Sequence, residues 1–237
     1  MDIHKIFTRK RVIFLLAFFV LVLIGKNINF SPVIGADNQF FTLFQFFAPT
    51  AGAFLGPIFG IIAVIFSQIA DFVIVGKEFS LLSILRFLPM LFAVYYFATF
   101  RKNKNKLFNV MVPLLAIALF IIHPVGREAW IFSLYWLIPV LAVIIPKKWP
   151  GSLFFRSYGS TFAAHAVGGV IWLYTVPMPA EAWLALIPIV AFERFLFGLG
   201  IAGSFVAFTT ALDYVTKKWK VSDKVLRIEK KYSLVKA

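Results

Sequence analysis

Gln45, Gln68, Asp71 and Arg86 are spaced through three consecutive apolar runs, and Glu193-Arg194 falls near the middle of the last one. An ionisable group inside such a run costs several kcal/mol in lipid unless it is paired or wetted. These six residues therefore read either as ion pairs and amide bonds that join helices, or as a polar site that takes a ligand. Acid, base and amide groups without a nucleophile–base pair suit binding better than bond breaking. No H-E-x-x-H, Walker A, G-x-G-x-x-G or G-x-S-x-G is present. The absence of cysteine excludes disulfides, thiolate metal sites and cysteine nucleophiles. No metal and no cofactor is expected. His165 reads as a packed or hydrogen-bonded histidine before a ligand. Trp130, Tyr135, Trp136, Trp172 and Trp183 would suit an aromatic pocket wall, although interfacial anchoring accounts for any one of them.

The elements that must position these groups are transmembrane helices. Hydrophobic residues make up 61% of 237 residues, and the mean hydropathy is +0.90. At roughly 20 residues per crossing, apolar runs at 11–26, 39–55, 57–76, 80–100, 108–123, 129–146, 160–177 and 182–215 use most of the chain. That leaves no room for a soluble catalytic, ATPase or DNA-binding domain. The expected fold is an all-α polytopic helical bundle of about eight spans forming one domain over 1–237, with a basic head at 1–10 and a basic tail at 217–237. The tail could lie as an interfacial helix.

Charge orients the bundle. Of 24 Lys and Arg, only Lys26, Lys77 and Arg127 fall in alternate loops assigned outside, and Arg86 and Arg194 fall within spans. The rest, including Arg101, Lys102, Lys147, Lys148 and Arg156, cluster on one face, as positive charge does on the cytoplasmic side. Both ends are then cytoplasmic, in a cell membrane. The net charge of +14 speaks for topology and anionic lipid rather than nucleic acid.

Gly56-Pro57 joins spans 2 and 3 as a tight inner hairpin, since glycine ends a helix and proline suits the next first turn. Span 3 then rises outward, putting Gln68 about 16 Å and Asp71 about 21 Å above its start. Gln45 lies about 9 Å below the outer edge of descending span 2, and Arg86 lies in the outer half of span 4. An Asp71–Arg86 pair could form at that depth, or a pocket open to the outside, with Asp37 and Asn38 at the rim. Glu193 and Arg194, about 100° apart on a helix, are expected to address different partners. The outer segment 26–39 reads as irregular backbone. A last helix over 182–215 would reach roughly 50 Å, so it should tilt, kink near Gly198, Gly200 and Gly203, or project inward.

The stretch FFAPTAGAFLGPIFGIIAVIFSQIADFVIVG followed by FSLLSILRFLPMLFAVYYFATFRK resembles the substrate-binding S component of energy-coupling factor (ECF) vitamin transporters, folate and pantothenate types especially. It has Pro49 before a small-residue run, Gly56-Pro57-x-x-Gly60, and Asp71 late in that helix. HAVGGVIWLYTV and WLALIPIVAFERFLFGLG are similar to the last two spans of that fold. The resemblance implies capture of a small vitamin-like solute, with an ECF transmembrane coupling protein and ATPase subunits as partners. Such components have six spans, so 107–148 would be an added hairpin. The first span carries Ala17-x-x-x-Leu21-x-x-x-Gly25 where that family has an alanine-x-x-x-alanine docking surface.

The reading is a non-enzymatic S component with Gln45, Gln68, Asp71, Arg86, Glu193 and Arg194 as substrate-binding residues. Such a set suits a zwitterionic or anionic aromatic solute. A scaffold subunit of a membrane complex, using small-residue seams and the basic inner face, remains an alternative; so does an intramembrane enzyme using His165 and Glu193. The topology is open to direct measurement because no native cysteine competes. A membrane-impermeant maleimide on intact cells should label Lys77→Cys and Arg127→Cys and spare Asn103→Cys. Labelling of Asn103→Cys would invert the orientation.

Overall fold

The computed structural model describes residues 9–35, 39–76, 79–100, 105–146, 149, 151–218 and 226–235. Asp37, Asn38, Lys77, Arg101, Lys102, Lys147, Lys148 and the head at 1–8 lie outside the described residues. Helix α1 (Arg9–Lys26) leads to an antiparallel ladder of β1 (Asn29–Pro32) and β2 (Phe40–Thr42). Segment 26–39, expected to be irregular, thus holds a strand. Asn27-Ile28-Asn29-Phe30-Ser31 alternates polar and apolar, the period of an extended chain.

The run 39–55 is not one continuous helix. After β2 come two single 3-10 segments, Leu43–Phe46 and Ala48–Thr50, and the short α2 (Ala51–Leu55). Gly56 then turns the chain at φ +89°, where a Cβ would be strained, and Pro57 opens α3 (Pro57–Ile74). Gly60 lies against the backbone of Gly52, so the Gly56-Pro57-x-x-Gly60 motif makes both the turn and the close contact that follows it.

The next stretch breaks into α4 (Leu81–Leu85) and α5 (Leu88–Thr99). Pro89 supplies no N–H and its ring crowds the carbonyl four residues back, which is Leu85. Arg86 sits at this break. Beyond it lie α6 (Lys106–Ile122), α7 (Pro124–Glu128), a 3-10 turn at Trp130–Trp136, and α8 (Leu137–Ile144). Two long helices follow, α9 (Ser152–Thr175) and α10 (Ala180–Lys218). At 39 residues, α10 spans about 58 Å and runs unbroken through Gly198, Gly200 and Gly203. Gly198 leaves room for Tyr158 and Gly200 for Phe46; these glycines admit aromatic neighbours rather than end the helix.

Helix α9 is the hub, packing on α5, α10, α6 and α8. Ser160 Oγ donates to Ala93 O at 2.9 Å and Tyr96 Oη to Pro139 O at 2.6 Å. Segment 106–144 packs chiefly on α9 and on itself, with Trp136, Phe120 and Phe132 in a core shared with Trp183. Arg156, read as an inner-loop cation, is buried in α9 instead. Its Nε donates to Phe97 O at 2.7 Å and its Nη1 pairs with Glu229 at 2.7 Å. Residues 226–235, read as a charged tail or interfacial helix, form an extended return with one 3-10 turn at Lys230–Tyr232. Arg227 N donates to Phe54 O at 3.0 Å, and Ser233 Oγ to Asp213 Oδ2 at 2.7 Å.

Polar and apolar faces are distributed opposite to those of a soluble helix. On α3, Ser67, Gln68 and Asp71 are buried while Ile58, Ile62, Phe66, Ile69 and Val73 are exposed. On α10, Glu193 and Arg194 are buried while Ile189, Phe192, Phe195 and Leu199 are exposed. Among the described residues, three stretches are long and apolar enough to cross a membrane: Pro57–Ile74, Leu81–Thr99 and Ala180–Lys218. The close contact at Gly60 makes a measurable contrast. Gly60→Ala should lower stability in detergent by about 1–3 kcal/mol through overpacking. Gly203→Ala, with open space around it, should be neutral or stabilising by up to about 1 kcal/mol. Equal unfolding midpoints for the two would contradict the packing.

Candidate functional site

A cavity of about 630 Å³ opens between the β1–β2 ladder, α3, the α4–α5 break, α9 and α10. All six residues singled out in the sequence reach it: Gln45, Gln68, Asp71, Arg86, Glu193 and Arg194. They arrive by different routes. Gln68 and Asp71 are three apart on α3 and share its inward face. Gln45 is delivered by the first 3-10 turn after β2. Gln68 Nε2 donates to Phe87 O at 3.4 Å, next to the helix break that presents Arg86.

The ion pairs differ from those expected. Asp71 does not meet Arg86; its Oδ2 binds Lys26 Nζ at 2.8 Å. Lys26 is the last residue of α1, so its ammonium also meets the negative end of that helix dipole. Reading it as a loop residue hid it, yet α1 ends beside the C-terminal part of α3. Arg86 instead stacks over Trp172 of α9, 5.8 Å from the ring centroid. Glu193 and Arg194, expected to diverge, pair with each other through Oε2 and Nη2 at 2.9 Å. Backbone directions 100° apart do not bind long side chains, which curl together when both charges are buried.

That pair anchors the strand ladder. Ser31 Oγ donates to the other carboxylate oxygen of Glu193, Oε1. The Arg194 guanidinium lies 4.5 Å from the Phe41 ring centroid and 4.9 Å from that of Phe197. Phe30 and Phe46 complete the aromatic surround at 5.3 Å from Phe197. The ladder is thus held over the cavity by one hydroxyl–carboxylate bond and by cation–π contact.

The aromatic wall contains two of the five residues named from the sequence, Trp172 and Trp183. Trp136 is in the core, Trp130 is 48% exposed, and Tyr135 Oη donates to Ile187 O at 2.8 Å. Phe132 and Phe41 line the cavity without having been singled out, because nothing in an apolar run marks which phenylalanine faces a void. His165 also lines it, accepting at Nδ1 from Trp136 Nε1 at 3.1 Å. Among the described residues no cluster of His, Asp or Glu has metal-ligand composition.

An uncharacterized protein of Methanocaldococcus jannaschii is 23% identical to this chain over 210 residues, covering 82% of this chain and 69% of that protein. No family model matches the chain. No solved structure matches it.

Double-mutant analysis distinguishes the observed pairing from the expected one. Asp71→Asn and Lys26→Met should each destabilise, since each removes one side of the observed pair, and the combination should recover about 0.5–3 kcal/mol of the summed loss. Asp71→Asn with Arg86→Gln should show no such recovery. Recovery with Arg86 and none with Lys26 would reverse the assignment.

Proposed function

We propose that this chain is a membrane-embedded capture protein, crossing the bilayer about eight times with both ends cytoplasmic, that binds a small vitamin-like solute from the outer side. In the S-component reading, partner ATPases and a coupling protein drive uptake, as the chain has no nucleotide motif of its own. The observation that carries the proposal is the convergence of six polar residues on one 630 Å³ cavity, four of them from α3 and α10, whose outward faces are apolar. Polar residues acting only as helix glue have no need of a void between them. The volume falls within the range of pockets that hold small solutes, roughly 300–1,000 Å³.

The break at Arg86 and the irregular run 40–50 support the same reading. Non-helical backbone at membrane depth is tolerated where it is buried in protein or lines a cavity, and both segments line this one. The apolar outward faces of α3 and α10 support lipid contact, which accounts for the two long stripes without invoking a protein partner.

Protein purified from its native membrane in mild detergent should release a small molecule close to one per chain, identified by mass spectrometry. Ala164→Trp, which fills the cavity from α9, should keep its unfolding midpoint within a few degrees and retain less than a tenth of that molecule. A stoichiometric protein partner with no released solute would favour the scaffold alternative instead.

A further inference from the structure

Resting on that capture reading, we infer that the solute is a net anion richer in hydrogen-bond acceptors than in donors, with a flat body, rather than a zwitterion or a cation. Charge comes first. Lys26–Asp71 and Glu193–Arg194 neutralise each other in pairs. Arg86 forms no ion pair among the described residues, and it stands over Trp172 at the cavity wall. Among the described residues the wall therefore keeps one unmatched positive charge, and an Arg fork matches a carboxylate or another planar anion. A cationic or amine-bearing solute would need an unmatched carboxylate, and among the described residues both carboxylates on the wall, Asp71 and Glu193, are already paired.

Hydrogen-bond polarity points the same way. Trp183 Nε1 and Arg194 Nε are buried donors without acceptors, on side chains 2% and 5% exposed that line the cavity. His165 accepts at Nδ1, so the neutral ring carries its proton on Nε2, a further donor on a cavity-lining residue. Among the described residues one buried unmet acceptor on the wall stands against these donors, Gln39 Oε1. Leaving a buried donor unmatched is costly, so the complement is a solute with acceptor atoms toward Trp183, Arg194 and His165. Its anionic group goes to Arg86, and a single N–H or O–H goes to Gln39. Trp172, Phe132 and Trp183 line the space, and aromatic walls favour a planar body.

The test is equilibrium dialysis of the full-length protein in detergent against nine probes: the carboxylate, carboxamide and aminomethyl derivatives of benzene, naphthalene and quinoline. On each body the carboxylate should be retained at least tenfold over the amide and the amine, and the quinoline should exceed the naphthalene because its ring nitrogen accepts. Arg86→Gln should bring carboxylate retention down to the amide level, and Arg86→Lys should restore part of it. Trp183→Phe should remove the preference for quinoline over naphthalene. Preferential retention of amines or amides, or a carboxylate preference that survives Arg86→Gln within threefold, overturns the inference and leaves capture standing. Retention of none of the nine by the wild-type protein overturns the capture reading as well.

Discussion

Charge inside an apolar bundle must find a counter-charge, and the arrangement of this chain follows from where each one does. Lys26–Asp71 fixes the C-terminal end of α1 against α3. Glu193–Arg194, with Ser31 on the free carboxylate oxygen, fixes the strand ladder against α10. Arg156–Glu229 fixes the C-terminal return against α9 at the other end. Such pairs add little net stability over an apolar replacement, but breaking one leaves a buried charge at a cost of several kcal/mol. They act mainly as specifiers, choosing among the many helix packings that a phenylalanine-rich sequence would otherwise allow.

Backbone polarity imposes the same discipline where helices stop. Between Lys26 and Ala51 the chain leaves the helical ladder, and its amides must bond elsewhere. The ladder does this in part: Val33 N donates to Gln39 O at 2.8 Å and Leu43 N to Ile28 O at 2.9 Å. The cost is a segment of short elements, and the return is geometry that no straight helix offers. Gln39, Phe41 and Gln45 reach the cavity from it. The Pro89 break does the same for Arg86, turning a guanidinium out of the helix stack toward Trp172.

These two constraints together yield a polar cavity in an otherwise apolar molecule. Paired charges lie around its wall without filling it, and Arg86 together with the orphaned donors of Trp183 and Arg194 gives it an electrostatic sense. Under the capture reading proposed above, selectivity would come from what the wall leaves unmatched rather than from its total polarity. Phe41 and Ser31 tie this wall to the overlying ladder through Arg194 and Glu193.

The amino-acid sequence alone determined the helical class, the turn at Gly56-Pro57, and which polar residues deserve attention. Those features are local: hydropathy, a glycine at positive φ, and an ionisable residue in an apolar run each leave their mark within a few positions. Tertiary structure decided the pairings. Asp71 met Lys26 rather than Arg86, and Glu193 met Arg194 as well as the distant Ser31, because depth along a helix says nothing of which neighbour stands beside it. Burial of Arg156 beneath the C-terminal return, and the choice of Phe132 and Phe41 for the cavity wall, were likewise invisible. One apolar phenylalanine resembles another in a sequence, and only the packing of α9 and α10 around a void separates those that face it from those that face lipid or core.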